Sequence, residues 1–336
     1  MTFHLPADVA QIASRQYGLI TSRQAEMHGM TRKMQSDRVQ RGDLVRVVHG
    51  VLAIRSEWDE RDADARYDAR LYGAALRGMA RMPYSAFSHR SAAFLHSLAL
   101  LTRPHDIDIT KVSCRTERRA DGIRLHRADV SGEVMALRNR AVTSLDRTVV
   151  DCAAALSFTD GVAMVESAMH KFVPKRDRSP ESAAAAAARC RAVWLERLNR
   201  LRPRGAAVAR TSIEFAGAAS ESAAESLARV VFKDLGLPDP VQQIETRTRN
   251  RVYFSDFGFP SLGVIVEVDG EMKYREPYSK DVAATLSAER QRHNDIQELG
   301  WEIVRLTWKD LHHPGEVYRR IADAARRAQA RKSRSR

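Results

Sequence analysis

Cysteine is nearly absent from these 336 residues: Cys114, Cys152 and Cys190 are the only three. They form no CxxC pair and are too sparse for a disulfide framework, so neither a stapled secreted fold nor a cysteine-held structural zinc is expected. Cys152, within VVDCAAAL, reads as a small core residue. No window approaches 18 uninterrupted apolar residues, which argues against a transmembrane helix. The start, MTFHLPADVAQIASRQYG, lacks the basic stretch and unbroken apolar run of a secretory signal. A soluble, cytoplasmic protein with no membrane partner is expected. Aromatic residues make up 7%, and none are arrayed to stack single-stranded bases, which ranks RNA-directed chemistry last. Positive charge is in surplus. Lys and Arg number 55 against 42 Asp and Glu, a net charge of +13. That balance permits a polyanionic partner without requiring one. Hydrophobic residues at 44% and charged residues at 29% are an ordinary globular composition, and the length suits two or three domains.

The first 60 residues carry three helical patterns and a hairpin. ADVAQIASRQYG spaces Val9, Ile12 and Ala13 on one face and ends at Gly18. Thr21 is placed to cap a second helix ending at Gly29, and Thr31 a third, running to Arg41 and stopped by Gly42. LVRVVHGVLAI, turning at His49 and Gly50, reads as a two-stranded wing. Together these predict a winged helix-turn-helix over residues 1–60, with the third helix laid into a major groove. Arg32, Lys33 and Arg38 are expected to touch phosphates of double-stranded DNA. Gln35 and Ser36 are expected to reach base edges. The competing reading is a small helical module that docks another protein. The run LITSRQAEMHGMTRKMQSDRVQRGDLVRVVHGVLAI also resembles the N-terminal winged helix of AbiEi-type antitoxins. That resemblance implies autoregulatory DNA binding and a toxin partner.

Residues 61–205 read as a mostly α middle domain. DIDITKVS and GIRLHRA are short strands within it, whereas VTSLDRTVVDCAAAL, GVAMVESAMHKF and the Ala-rich stretch after Ser179 read as helices. His89 and His96 lie seven apart on one helical face, with no third ligand evident, so local hydrogen bonds are expected of them. Arg147 and Asp151 have the spacing of an ordinary helix salt bridge. SHRSAAFLHSL, LDRTVVD and GVAMVESAM resemble the region following the winged helix in AbiEi-like proteins, which implies a structural and interaction role.

Residues 206–325 concentrate the chemistry. Val264–Val268 is an almost wholly apolar run, the mark of a buried central strand, and two carboxylates, Glu267 and Asp269, sit at its end. Asp256 arrives on the preceding strand. Carboxylates converging at a sheet end repel unless a cation or proton intervenes. A hard cation, Mg²⁺ or Mn²⁺, is therefore expected on Asp256, Glu267 and the main-chain carbonyl of Val268, activating water for phosphodiester hydrolysis. An acidic rim capped by Lys273 and Arg275, or a glycosidase carboxylate pair, are the alternatives. Asp256, EVDGEMKY (267–274) and AERQRHNDIQELGWEIVRLTWKDL resemble the PD-(D/E)XK nucleases, more narrowly the Vsr-related DUF559 domain, over residues 221–325. The resemblance implies a restriction-endonuclease-like α/β fold around a mixed central sheet. It makes Asp256 and Glu267 metal ligands, and Glu225 a helper in positioning metal or water. It also exposes a departure: Asp269 stands where that superfamily carries its Lys, and Lys273 where the Vsr-like branch carries His. Lys273 is the expected substitute cation.

Arg290 and Arg292 are expected to face the acidic cluster or DNA, and Arg305 a phosphate. Trp301–Trp308 reads as another central strand. The last segment, residues 326–336, reads as a disordered basic arm that adds non-specific affinity. The favoured function is thus a metal-dependent DNA endonuclease targeted by a winged helix, possible as a homodimer. The alternative is a DNA-binding, antitoxin-like transcriptional regulator whose nuclease fold is scaffold.

Overall fold

The computed structural model describes residues 4–113, 116–177, 179–248, 251–269 and 282–334. The chain divides into two compact units, residues 1–152 and 153–336. That boundary runs through the segment expected as one middle domain.

The first unit begins with α1 (Ala7–Ser14), β1 (Leu19–Thr21), α2 (Ser22–Met27), α3 (Arg32–Gln40), β2 (Leu44–Val48) and β3 (Val51–Ile54). Thr21 caps α2 in a capping box with Gln24, and the Thr31 side chain accepts the Met34 N–H to cap α3. Gly29 ends the α2 turn at φ +82°, where a side chain would be strained. The three strands pair antiparallel in the order β1-β3-β2. Leu5, Val9, Ala13, Ile20, Ala25, Met30, Leu44 and Leu52 form the core between helices and sheet.

After α4 (Arg55–Asp59) and α5 (Ala63–Leu76), the structure adds a larger sheet than the two expected strands to a region where helix still predominates. β4 (Ser85–Phe87), α6 (His89–Leu95), β5 (Ile107–Lys111), β6 (Arg118–Ala120), β7 (Ile123–His126), β8 (Val134–Leu137) and β9 (Arg140–Thr143) precede α7 (Leu145–Ala155). The strands form a six-stranded mixed sheet, β6-β7-β5-β4-β9-β8. β5 and β7 are the two strands expected, and the other four have only three or four residues, too few for alternation to stand out from the flanking loops. Phe87, Ile107, Ile109 and Val142 bury its face. The polar groups here pair internally. His126 Nε2 lies 2.8 Å from Asp108 and its ring stacks on His89 at 3.7 Å, while His96 bonds the Thr143 carbonyl. Arg147 holds Asp151 at 2.9 Å and Glu133 at 3.0 Å, the helix pair expected with one further acid.

The second unit packs α8 (Phe158–His170), α9 (Pro180–Leu201) and α10 (Ala206–Phe215) beside α11 (Ala223–Asp234). Then follow β10 (Val241–Arg247), β11 (Val252–Phe259), β12 (Val264–Asp269), α12 (Val282–Glu298), β13 (Glu302–Thr307) and α13 (Pro314–Arg334). The sheet order is β10-β11-β12-β13, antiparallel except for the parallel β12–β13 pair. β12 is interior as expected, but β13 is an edge strand, not a central one. Phe232 of α11 meets Phe257 and Phe259 edge-on at 5.3 Å, closing one face. Ile296 of α12 packs with Ile265 and Ile244 on the other.

The basic arm is also corrected. Residues through 334 continue α13, whose Val317, Ile321, Ala324 and Ala328 are buried at helical spacing. A side chain at Gly263 would come within 3.1 Å of the Ala328 methyl, so the helix lies close against the β11–β12 turn. Arg327 and Arg331 reach the buried Glu302 of β13 at 2.9 and 3.0 Å.

Candidate functional site

Two places carry the expected functional residues. On α3, one turn of helix separates outward from inward positions, and polarity alone does not sort them. Gln35 is 5% exposed. Its amide donates to the Met30 carbonyl at 2.8 Å and the Ser22 carbonyl at 3.1 Å, bolting α3 to the start of α2. This corrects its assignment as a base reader: a side chain spent on two main-chain acceptors behind the helix is not presented to a groove.

The basic residues of α3 differ among themselves. Arg32 pairs with Glu26 at 2.6 Å and Arg38 with Asp43 at 2.9 Å, so both charges are partly neutralised within the module. Lys33 is exposed and has no carboxylate partner among the described residues. Ser36 accepts from Arg46 of β2 at 3.3 Å. Arg46, itself exposed, thereby ties the hairpin to α3. Sequence reasoning missed it. Strict alternation would put Arg46 on the face of the buried Leu44, and the register irregularity between Arg46 and Val48 is what leaves it exposed.

The second place is the sheet of the second unit. The register pairs Phe257 with Val266, and Asp256 and Glu267 are one residue beyond on their strands. Asp256 accepts the Val268 N–H at 2.8 Å. Glu225, in the first turn of α11, accepts the Glu221 N–H at 2.9 Å and the Ser222 hydroxyl at 2.7 Å. Its carboxyl is pushed up to about 7, first by burial and further by the nearby Asp256 and Glu221 charges, against those hydrogen bonds. Glu267, with a side chain only 14% exposed, is met by Arg292 at 2.7 Å and Arg305 at 3.3 Å. Arg305 also holds Glu289 at 2.6 Å. Burial would lower the Arg305 pKa, but Glu267 and Glu289 hold it raised. Asp269 is exposed at the end of β12. Lys273 lies outside the described residues.

The arrangement brings Glu225 toward Asp256 but gives Glu267 to arginines. Arg292 and Arg305 therefore serve as internal counter-ions. A Mg²⁺ or Mn²⁺ centre on Asp256, Glu267 and the Val268 carbonyl needs accepting oxygens with unspent charge, and as placed Glu267 spends its charge on the two arginines. Among the described residues, no group of three or more His, Cys, Asp or Glu is placed to hold a metal ion. Beside this cluster, Arg290 and His293 of α12 join Ile303, Arg305 and Glu289 around a cavity of about 460 Å³. His293 went unnoticed in the sequence, although its position three residues after Arg290 puts both on one side of the helix.

Among the described residues no helix is long and apolar enough to cross a membrane. Over most of its length the chain is similar to two Mycobacterium tuberculosis proteins, uncharacterized protein MT2308 and uncharacterized protein Rv2248. Each is 28% identical over 306 residues, covering 89% of this chain and all of theirs. A crystal structure of RV2827C protein from Mycobacterium tuberculosis aligns with 62% of this chain and 82% of its own, at 15% identity and a TM-score of 0.37. Residues 8–55, from α1 through β3, match the family model described as transcriptional regulator, AbiEi antitoxin.

Proposed function

We propose that this protein is a DNA-binding transcriptional regulator of the antitoxin type. In this reading α2 and α3 act as a helix-turn-helix, α3 enters the major groove, and the β2–β3 hairpin is the wing. The observation that carries it is the match of residues 8–55 to the regulator family, over the same segment in which Lys33, Ser36 and Arg46 stand together at the surface. Lys33 and Arg46 supply the phosphate attraction, and Ser36 is the polar group nearest the base edges. A toxin protein as second partner is supported by the family description.

The test is fluorescence anisotropy with the full chain, at several salt concentrations, on a duplex from upstream of its own gene and on a scrambled duplex. Affinity is expected to fall linearly with the logarithm of salt, with a preference for the upstream duplex. Absence of any salt-dependent binding removes the reading.

A further inference from the structure

We propose that the cavity between α12 and β13, beside the carboxylates on which a metal cation was expected, binds a phosphoryl oxyanion. Its walls are Glu289, Arg290, His293, Ile303 and Arg305. Among the described residues, the polar walls are two arginines, a histidine and one acid. Arg290 and His293 make no ion pair among the described residues, so their donors are uncommitted. Arg305 differs in being fixed: the largely buried Glu267 holds it from behind at 3.3 Å, and Arg292 at 2.7 Å helps offset that carboxylate. A guanidinium locked by a buried carboxylate is preorganised, so little side-chain freedom is lost when it takes an oxyanion.

The acid on the rim among the described residues, Glu289, is exposed and bound to the same guanidinium at 2.6 Å. It can swing into solvent when an anion takes its place. A divalent cation in the cavity would stand beside Arg290 and Arg305, which repel it. At about 460 Å³, the space accepts a phosphate with part of the group it is attached to. The ligand is therefore free phosphate or a phosphomonoester, or one phosphodiester of a nucleic-acid backbone. This site is independent of the N-terminal reading.

The experiment titrates the full chain with inorganic phosphate by calorimetry at constant ionic strength, then with MnCl₂, then with phosphate in the presence of a short oligothymidylate. Phosphate is expected to bind. The Arg290→Gln, His293→Gln double variant is expected to weaken it at least about tenfold, the usual size of losing charge-assisted hydrogen bonds. Both positions retain surface exposure, and the single Arg290→Gln variant serves if the double variant misfolds. Glu289→Gln is expected to strengthen phosphate binding severalfold, because it removes the internal competitor. Competition by oligothymidylate that is lost in the double variant assigns a nucleic-acid backbone. Phosphate binding without competition assigns a small phosphate ligand. Phosphate binding unchanged in the double variant, weakened by Glu289→Gln, or absent while Mn²⁺ binds overturns the proposal.

Discussion

Glu267 and Glu302, in the C-terminal sheet, are each enclosed by two arginines, whereas Lys33 and Arg46, in the N-terminal module, stand in solvent without a carboxylate partner among the described residues. The contrast follows from burial. A carboxylate on a sheet covered by a helix loses hydration, and the loss is offset only by a close counter-ion. A cation on an exposed helix keeps its water and needs none. The same residue types therefore hold the structure together in one region and remain available to a ligand in the other. Charge in a sequence is informative about partners only once its internal partners are known.

The sharpest way to break this contrast is to strip the counter-ions from Glu302. With Arg327 and Arg331 both changed to Gln, a side chain only 5% exposed keeps its charge without compensation. The expected loss is about 3 kcal/mol, at the low end for a broken buried pair because both arginines are half exposed. Adding Glu302→Gln to that variant should recover most of it. Urea denaturation of the three proteins reads the cycle. If the double arginine variant is as stable as wild type, the last turns of α13 are an arm after all.

Glu225 is the contrasting carboxylate, buried with hydrogen bonds but no cation. Its folded pKa of about 7 stands above the ordinary 4.5. The folded state then binds the proton more tightly than the unfolded chain. This group therefore costs nothing below about pH 4.5, costs progressively more between 4.5 and 7, and costs most above 7. The full span corresponds to about 3 kcal/mol. Glu225→Gln can keep both hydrogen bonds, with its carbonyl accepting from Glu221 N–H and its amide donating to the Ser222 hydroxyl. The variant should match wild type at pH 4.5 and exceed it increasingly up to pH 8. A stability difference independent of pH removes the assigned cause.

Some of this was legible in the sequence and some was not, for physical reasons. Thr21, Thr31 and Gly29 act through bonds and dihedrals a few residues away, so the boundaries of α2 and α3 could be read directly. Gln35 was misread because helical amides are usually solvated, and only the path of the α2–α3 turn reveals that two carbonyls wait behind it. The strands between 85 and 143 pair across long intervals, with Ile107–Ile109 meeting Ile123–Leu125 in parallel, and no local pattern encodes such contacts. The segment after residue 325 was judged on charge, although Ile321, Ala324 and Ala328 already carried the helical stripe. In the candidate site Arg292 was read as facing the acidic cluster, and it meets Glu267 there, whereas Arg305 was read toward a phosphate because its pairing with Glu267 depends on the β12–β13 register.

Gln35→Ala tests the division on α3. The variant leaves the Met30 and Ser22 carbonyls without this donor, so a loss of about 2 kcal/mol is expected from thermal or urea unfolding. The salt slope of DNA binding by the remaining folded protein should not change. A variant with wild-type stability and altered preference between duplexes would return Gln35 to the base edges.

The smallest expected effect separates paired from unpaired cations on the same surface. Lys33→Ala and Arg46→Ala each remove a charge that has no internal carboxylate partner among the described residues. Each should lower the slope of log affinity against log salt by about one and weaken binding to all duplexes alike. Arg32→Ala and Arg38→Ala also release Glu26 and Asp43, so their net effect mixes a lost cation with an exposed anion. If phosphate displaces those acids on binding, the arginine variants lose as much slope as Lys33→Ala. If Glu26 and Asp43 keep their partners in the complex, the arginine variants change the slope much less. The second outcome is expected, because Glu26 and Asp43, at 32% and 24% exposed, are more enclosed than Glu289 at 45% and so less free to swing into solvent when a phosphate approaches. Anisotropy titrations of the four variants at three salt concentrations measure this difference. Equal slopes across all four would mean that the ion pairs of α3 open on DNA.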